Sequence, residues 1–140
     1  MAFSNPSNEK RRELLQEAKT IAVVGLSNKP DRTSYMIADA LQRVGYKIIP
    51  VNPTIDEVLG EKAVASLTDI KEHVDIVNVF RRSEQVMPVA EEAVKIKAGT
   101  LWLQQGIYNE EAAKLAEENG LNVVMDLCIK VDHALLIPRK

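Results

Sequence analysis

The stretch Val23-Val-Gly-Leu-Ser-Asn-Lys-Pro-Asp-Arg-Thr-Ser-Tyr35 holds the densest set of groups suited to an anion. Gly25 closes an apolar run at a point where the backbone must turn tightly and a ligand can come close. Ser27, Asn28, Thr33 and Ser34 offer hydroxyl and amide groups, and Lys29 and Arg32 offer cations. A helix opening near Thr33 or Ser34 adds unpaired N–H groups and the positive end of its dipole, which together suit a phosphate. The plainer alternative is a solvated turn whose Ser and Thr only cap the helix.

A second cationic point follows Phe80. Arg81 and Arg82 carry planar donors that match phosphate oxygens, unless one of them is taken by Glu84 or Asp56. The nucleotide is constrained by what is missing. A dinucleotide fingerprint wants Gly-x-Gly-x-x-Gly and an acid at the end of the second strand. Here the glycine positions read Gly25, Ser27 and Pro30, and the second strand ends Val51-Asn52-Pro53. NAD is disfavoured, whereas NADP stays open because cations could meet its extra phosphate. Lys29 is not set in a P-loop pattern, which argues against ATP hydrolysis of that kind.

Other chemistry finds little support. Cys128 follows the fifth strand-like run and could face a ligand thiol, but a lone Cys among apolar residues is more simply packed. His73 and His133 lack partners at ligand spacing, so no metal is expected. Trp102 reads as core, and Asp126 as a residue that orients a turn. No Ser-His-Asp or Cys-His arrangement can be argued from spacing, so no catalytic residue is assigned.

The elements that position these residues are legible from glycine punctuation. Gly45, Gly99 and Gly120 each close a helical stretch and precede an apolar run: Tyr46–Val51, Thr100–Leu103 and Leu121–Met125. Glycine in the left-handed conformation just past a helix is the expected connection. Ile21–Val24 and Val74–Phe80 complete five runs rich in β-branched residues, as strands covered on both faces tend to be. Ile37, Ala40, Leu41 and Val44 make one helical stripe. Val86, Val89, Ala90, Ala93 and Val94 make a second, with Ser83 as N-cap. Ala112, Leu115 and Ala116 make a third, with Asn109 as N-cap. A helix over Ser7–Ala18 precedes the first strand, a short one near Thr68–Glu72 interrupts an irregular crossover, and Ile129–Ile137 forms a last helix ended by Pro138.

Alternation of strand and helix predicts a Rossmann-like α/β domain, a doubly wound five-stranded parallel sheet of order 3-2-1-4-5. The ligand crevice then lies at the carboxyl ends of strands 1 and 4. One domain over residues 1–140 suits the length. With 46% hydrophobic and 27% charged residues the composition is globular, and a net charge of −2 offers no global field for nucleic acid or an anionic membrane. A single cysteine, no spanning run and no signal-peptide core point to a cytoplasmic location.

The stretches AVVGLS with the following RTSY, then GYKIIPVNP, VDIVNVFRR, LWLQQG, NEEAAKLAEENGL and VVMDLCIKVDH, carry a resemblance in the same order from about residue 20 to 133. They resemble the small stand-alone CoA-binding proteins related to the CoA-binding domain of the succinyl-CoA synthetase α-subunit. The resemblance implies coenzyme A as ligand, bound across the carboxyl edge of the sheet. It places Gly25, Ser27 and Ser34 near the diphosphate, and Asn52 and Pro53 at the adenosine end. It brings Phe80, Arg81 and Arg82 over the adenine or 3′-phosphate, and Gln105 and Gly106 beside the pantetheine. Two positions depart from the pattern: Thr54 stands where related domains often carry a basic residue, and Leu127 where many stand-alone members have Arg before the cysteine.

The leading expectation is a non-catalytic protein that binds CoA or acyl-CoA. The alternatives are an NADP-dependent oxidoreductase, a subunit of an acyl-CoA ligase, or an interaction module with a vestigial crevice. The N-terminal helix leaves room for a homodimer or another protein partner.

Overall fold

A computed structural model describes residues 3–137, and within them the strand-like runs become strands whose two faces are both covered. In chain order the elements are α1 (Asn8–Glu17), β1 (Thr20–Val24), α2 (Thr33–Arg43), β2 (Lys47–Val51), a small hairpin of β3 (Glu57–Val58) and β4 (Glu61–Lys62), β5 (Ile76–Val79), α3 (Val86–Lys95), β6 (Thr100–Leu103), α4 (Glu110–Glu118), β7 (Asn122–Val124) and α5 (Ile129–Leu136). Every residue of β1, β5 and β6 is buried, which explains why these strands read as continuous apolar runs rather than alternating ones.

The five main strands are parallel and lie in the order β2-β1-β5-β6-β7. The α/β doubly wound class is as expected. The order 3-2-1-4-5 is not: by rank along the chain the strands lie 2-1-3-4-5, with the third beside the first. The crossover after β2 supplies the reason. Val58 packs into the core on the α1, α2 and α5 side, while Leu67, in a short 3-10 turn, is buried in the core on the α3 and α4 side. The chain therefore wraps around the outer edge of β2 and changes face. A right-handed crossover on the opposite face must step in the opposite direction, which delivers β5 to the far side of β1. The winding thus reverses between β1 and β5, not between strands 1 and 4.

The wrap also protects the sheet edge. Asn52 N–H donates to the Val64 carbonyl at 2.9 Å, and Val64 N–H donates to the Pro50 carbonyl at 3.0 Å. Pro50, which lacks an N–H, is thereby accommodated on an edge strand.

Several local expectations shift. Ser7 caps α1 and Asn109 caps α4, each accepting from a first-turn N–H. Ser83 does not cap α3; its hydroxyl accepts from the Tyr108 N–H at 2.9 Å, and a 3-10 turn (Ser83–Gln85) leads into the helix. The α2 stripe is rotated: Ser34, Ile37, Ala38 and Leu41 are buried, while Val44 is 56% exposed. Gly99 does not close its helix in the left-handed conformation, which Lys97 takes instead (φ 56°). What Gly99 provides is space, because a Cβ there would meet the Asp75 carbonyl oxygen at 2.8 Å. The 68–72 helix is only the 3-10 turn Leu67–Asp69. Pro138, expected to end α5, lies outside the described residues.

Candidate functional site

With β5 beside β1, the loops that leave these two strands start side by side at the reversal point, the usual ligand position in an open parallel sheet. Gly25 is locked there from both sides. Its N–H donates to the Val51 carbonyl at 2.9 Å, and Phe80 N–H donates to the Val24 carbonyl at 2.8 Å. Its φ is +86°, and a Cβ would collide with the Phe80 carbonyl oxygen. Both the backbone conformation and the close approach require glycine.

Beyond Gly25 the loop is organised by its own side chains. Ser34, 7% exposed in the first turn of α2, accepts the Ser27 N–H at 3.0 Å. The Ser27 hydroxyl accepts the Lys29 N–H at 3.1 Å. Asn52 ties the loop to the end of β2, its Nδ2 donating to the Leu26 carbonyl at 3.0 Å while its Oδ1 accepts from Thr54 N–H and Oγ1. Arg32 stands at the N-cap of α2 with no side-chain cap bond. The first-turn N–H groups are therefore not taken by a capping side chain, and the positive end of the helix dipole lies at the loop.

These segments enclose an open cleft of about 740 Å³, within the range of small-molecule sites. Its floor and walls come from Gly25, Ser27, Thr33 and Ser34 on the β1 side, Asn52, Thr54 and Ile55 on the β2 side, and Phe80 at the end of β5. Asn28, Lys29, Asp31 and Arg32 form the rim. Of the residues expected at a site, Gly25, Ser27, Ser34, Asn52 and Phe80 meet here. Pro53 is exposed in the turn between Asn52 and Thr54. Arg81 is half-buried and Arg82 exposed just past Phe80, and none of the described ion pairs involves Arg81, Arg82, Glu84 or Asp56. Gln105 and Gly106 lie exposed in the loop after β6, where the Asp126 carboxylate accepts the Gly106 N–H at 2.7 Å. Asp126 thus links the two turns at the carboxyl edge, itself at φ 61°.

Ile55 and Asn78 escaped the sequence reading. Ile55 sits in an irregular stretch with no periodicity to mark it. Asn78 lies within β5, fully buried, and neither Nδ2 nor Oδ1 has a partner. An amide inside an otherwise apolar strand was the signal available. Its register neighbours are Val23 and Trp102, two residues below the Gly25 and Phe80 end of the sheet.

The remaining chemical candidates are elsewhere. His73 pairs with Asp75 at 3.4 Å at the amino edge of the sheet. His133 lies on α5, its pKa lowered by burial, with its ring edge-on to Tyr46 at 5.6 Å. Burial pushes the Tyr46 hydroxyl up to about 12, and it donates to the Leu15 carbonyl. Near the β6 loop the Tyr108 hydroxyl donates to Glu110 at 2.7 Å, which raises the phenol and lowers the carboxyl. Cys128 is half-buried at the start of α5. Trp102 is core, its Nε1 donating to the Leu127 carbonyl at 2.9 Å. Among the described residues no group of three or more His, Cys, Asp or Glu is placed to share a metal ion.

Residues 19–134 match the sequence profile of a family described as CoA binding domain. The chain belongs to that family. It is 60% identical over 133 residues to the uncharacterized protein YneT of Bacillus subtilis, a match that covers 95% of this chain and 98% of YneT. It is 31% identical over 121 residues to an ADP-forming acetate–CoA ligase of Methanocaldococcus jannaschii, of which the aligned region makes up only 17%. Among solved structures, a hypothetical protein from Pyrococcus horikoshii OT3 superposes with a TM-score of 0.92 at 37% identity, covering 99% of this chain and 100% of that one. The CoA-binding domain family thus includes a fold that occurs both as a chain of this size and as a small part of a much larger ligase.

Proposed function

We propose that this chain binds coenzyme A, free or acylated, and performs no covalent chemistry of its own. The carrying observation is the lock between Gly25 and Phe80, which sets an uncapped helix N-terminus, three strand ends and the Ser27–Arg32 loop around one cleft in a CoA-binding domain. The diphosphate is assigned to Gly25, Ser27, Ser34 and the first turn of α2. Asn52 and Pro53 flank the adenosine, and Phe80 closes over it. Arg81 or Arg82 reaches a phosphate from the β5 side, and the pantetheine runs past Gln105 and Gly106. The short match to the acetate–CoA ligase supports a second reading, a binding subunit that works with a separate catalytic chain.

Calorimetric titration with CoA, NADPH and NADH tests the assignment, and mass spectrometry of natively purified protein tests for a co-purifying acyl-CoA. CoA is expected to bind tightest; preference for NADPH would overturn the reading. Arg81→Ala with Arg82→Ala is expected to weaken CoA binding about tenfold and to flatten its salt dependence, because a screened phosphate contact is lost. An unchanged salt dependence would remove the arginines from the site.

A further inference from the structure

We infer that Lys29 and Arg32 receive the ligand's isolated ribose phosphate and make the cleft selective for a nucleotide that carries one. This inference rests on CoA binding as proposed above. The two side chains leave a single turn, closed by the Arg32 N–H donating to the Lys29 carbonyl at 3.0 Å. Both are exposed on the rim of the cleft, and neither takes part in an ion pair among the described residues.

The opposite wall cannot do this work. Asn52, Thr54 and Ile55 line it without a cation, and Asp56 and Glu57 follow. The cations that line the cleft are therefore Lys29 and Arg32. They sit on one turn, with Asp31 between them in sequence. A phosphate monoester carries close to two negative charges near neutral pH and three strong acceptor oxygens. It would relieve the mutual repulsion of the two cations and offer Arg32 a two-point contact. The diphosphate, by contrast, belongs over the α2 terminus, whose N–H groups come from backbone. The two anionic parts of the ligand are thus recognised by different groups: the α2 backbone donors, with Arg81 or Arg82 from the β5 side, for the diphosphate, and the rim cations Lys29 and Arg32 for the ribose phosphate.

The test compares CoA with 3′-dephospho-CoA by calorimetry on three proteins: wild type, Lys29→Ala with Arg32→Ala, and Arg81→Ala with Arg82→Ala. The rim variant changes only exposed side chains, and its melting curve checks that it folds. Wild type is expected to prefer CoA by about tenfold or more. The rim variant should lose that preference while holding 3′-dephospho-CoA nearly as well as wild type. The Arg81/Arg82 variant should weaken both ligands alike and keep the preference. A rim variant that still prefers CoA would overturn the inference, as would one that loses both ligands equally. Wild type binding both ligands equally would overturn it while leaving CoA binding intact. Wild type binding neither would overturn both readings.

Discussion

A single side chain shows how close the binding edge comes to the core. Asn78 is 0% exposed and carries an amide with no partner on either polar atom. A buried, unmatched donor or acceptor costs about 1–3 kcal/mol. Asn78→Leu, close to isosteric, is therefore expected to raise stability by roughly 1 kcal/mol or more, read as a higher urea midpoint at unchanged slope. A lower midpoint would mean that the amide is satisfied by an internal water. Residue types pointed towards the cleft: Gly25, Ser27, Ser34, Asn52 and Phe80 line it, whereas Pro53, Arg81, Arg82, Gln105 and Gly106 do not. Asn78 is legible in the sequence only as an amide within an apolar strand; that neither polar atom finds a partner depends on the finished packing. Lys29 and Arg32 were visible as cations, but only the closed turn reveals that both line the cleft.

Between elements, a largely buried ion pair ties α1 to α5. Arg11 Nε donates to Asp132 at 2.7 Å, with side-chain exposures of 12% and 8%. The remaining Arg11 donors reach the Pro6 carbonyl and Asn8. Removing one member of such a pair leaves a buried charge without its counter-ion. Arg11→Ala is expected to cost about 3 kcal/mol in chemical denaturation, and Arg11→Met with Asp132→Leu to recover most of it. Equal loss in both variants would show that packing, not charge, holds the helices. Local pattern located each main strand to within two residues at either end, because glycine stops and β-branched runs are local signals. Strand order was not legible in the same way. It depends on which face the 54–73 crossover takes, and that is decided by where Val58 and Leu67 find cover in the finished molecule.

For the molecule as a whole, pH should act on stability from both sides. Burial holds His133 below its ordinary 6.5. Below that value the unfolded chain takes up a proton that the folded chain resists, so stability is full above it and is lost as pH falls. Tyr46 works in the opposite direction, raised from 10.0 to about 12. Its contribution is full below pH 10 and is lost as pH rises towards 12. Melting curves of wild type and His133→Gln from about pH 7.5 to about pH 5 should converge at the acid end if His133 is responsible. Parallel curves would place the acid sensitivity elsewhere. Among the described residues no helix is long and apolar enough to cross a membrane.

The neighbourhood of Gly25 and Phe80 also bears on synthesis. A nascent chain leaving the ribosome presents β1, the loop after it and α2 early, then the β2 end with Asn52. It carries most of the cleft's donors at that point. The third wall is absent until β5 has emerged and inserted next to β1, on the side away from β2. A half-made polypeptide therefore lacks the Phe80 wall, and the cleft is complete only once the centre of the sheet has closed. The finished cleft consequently reports a completed central strand pair, a closure that the order 3-2-1-4-5 would have put off until the fourth strand.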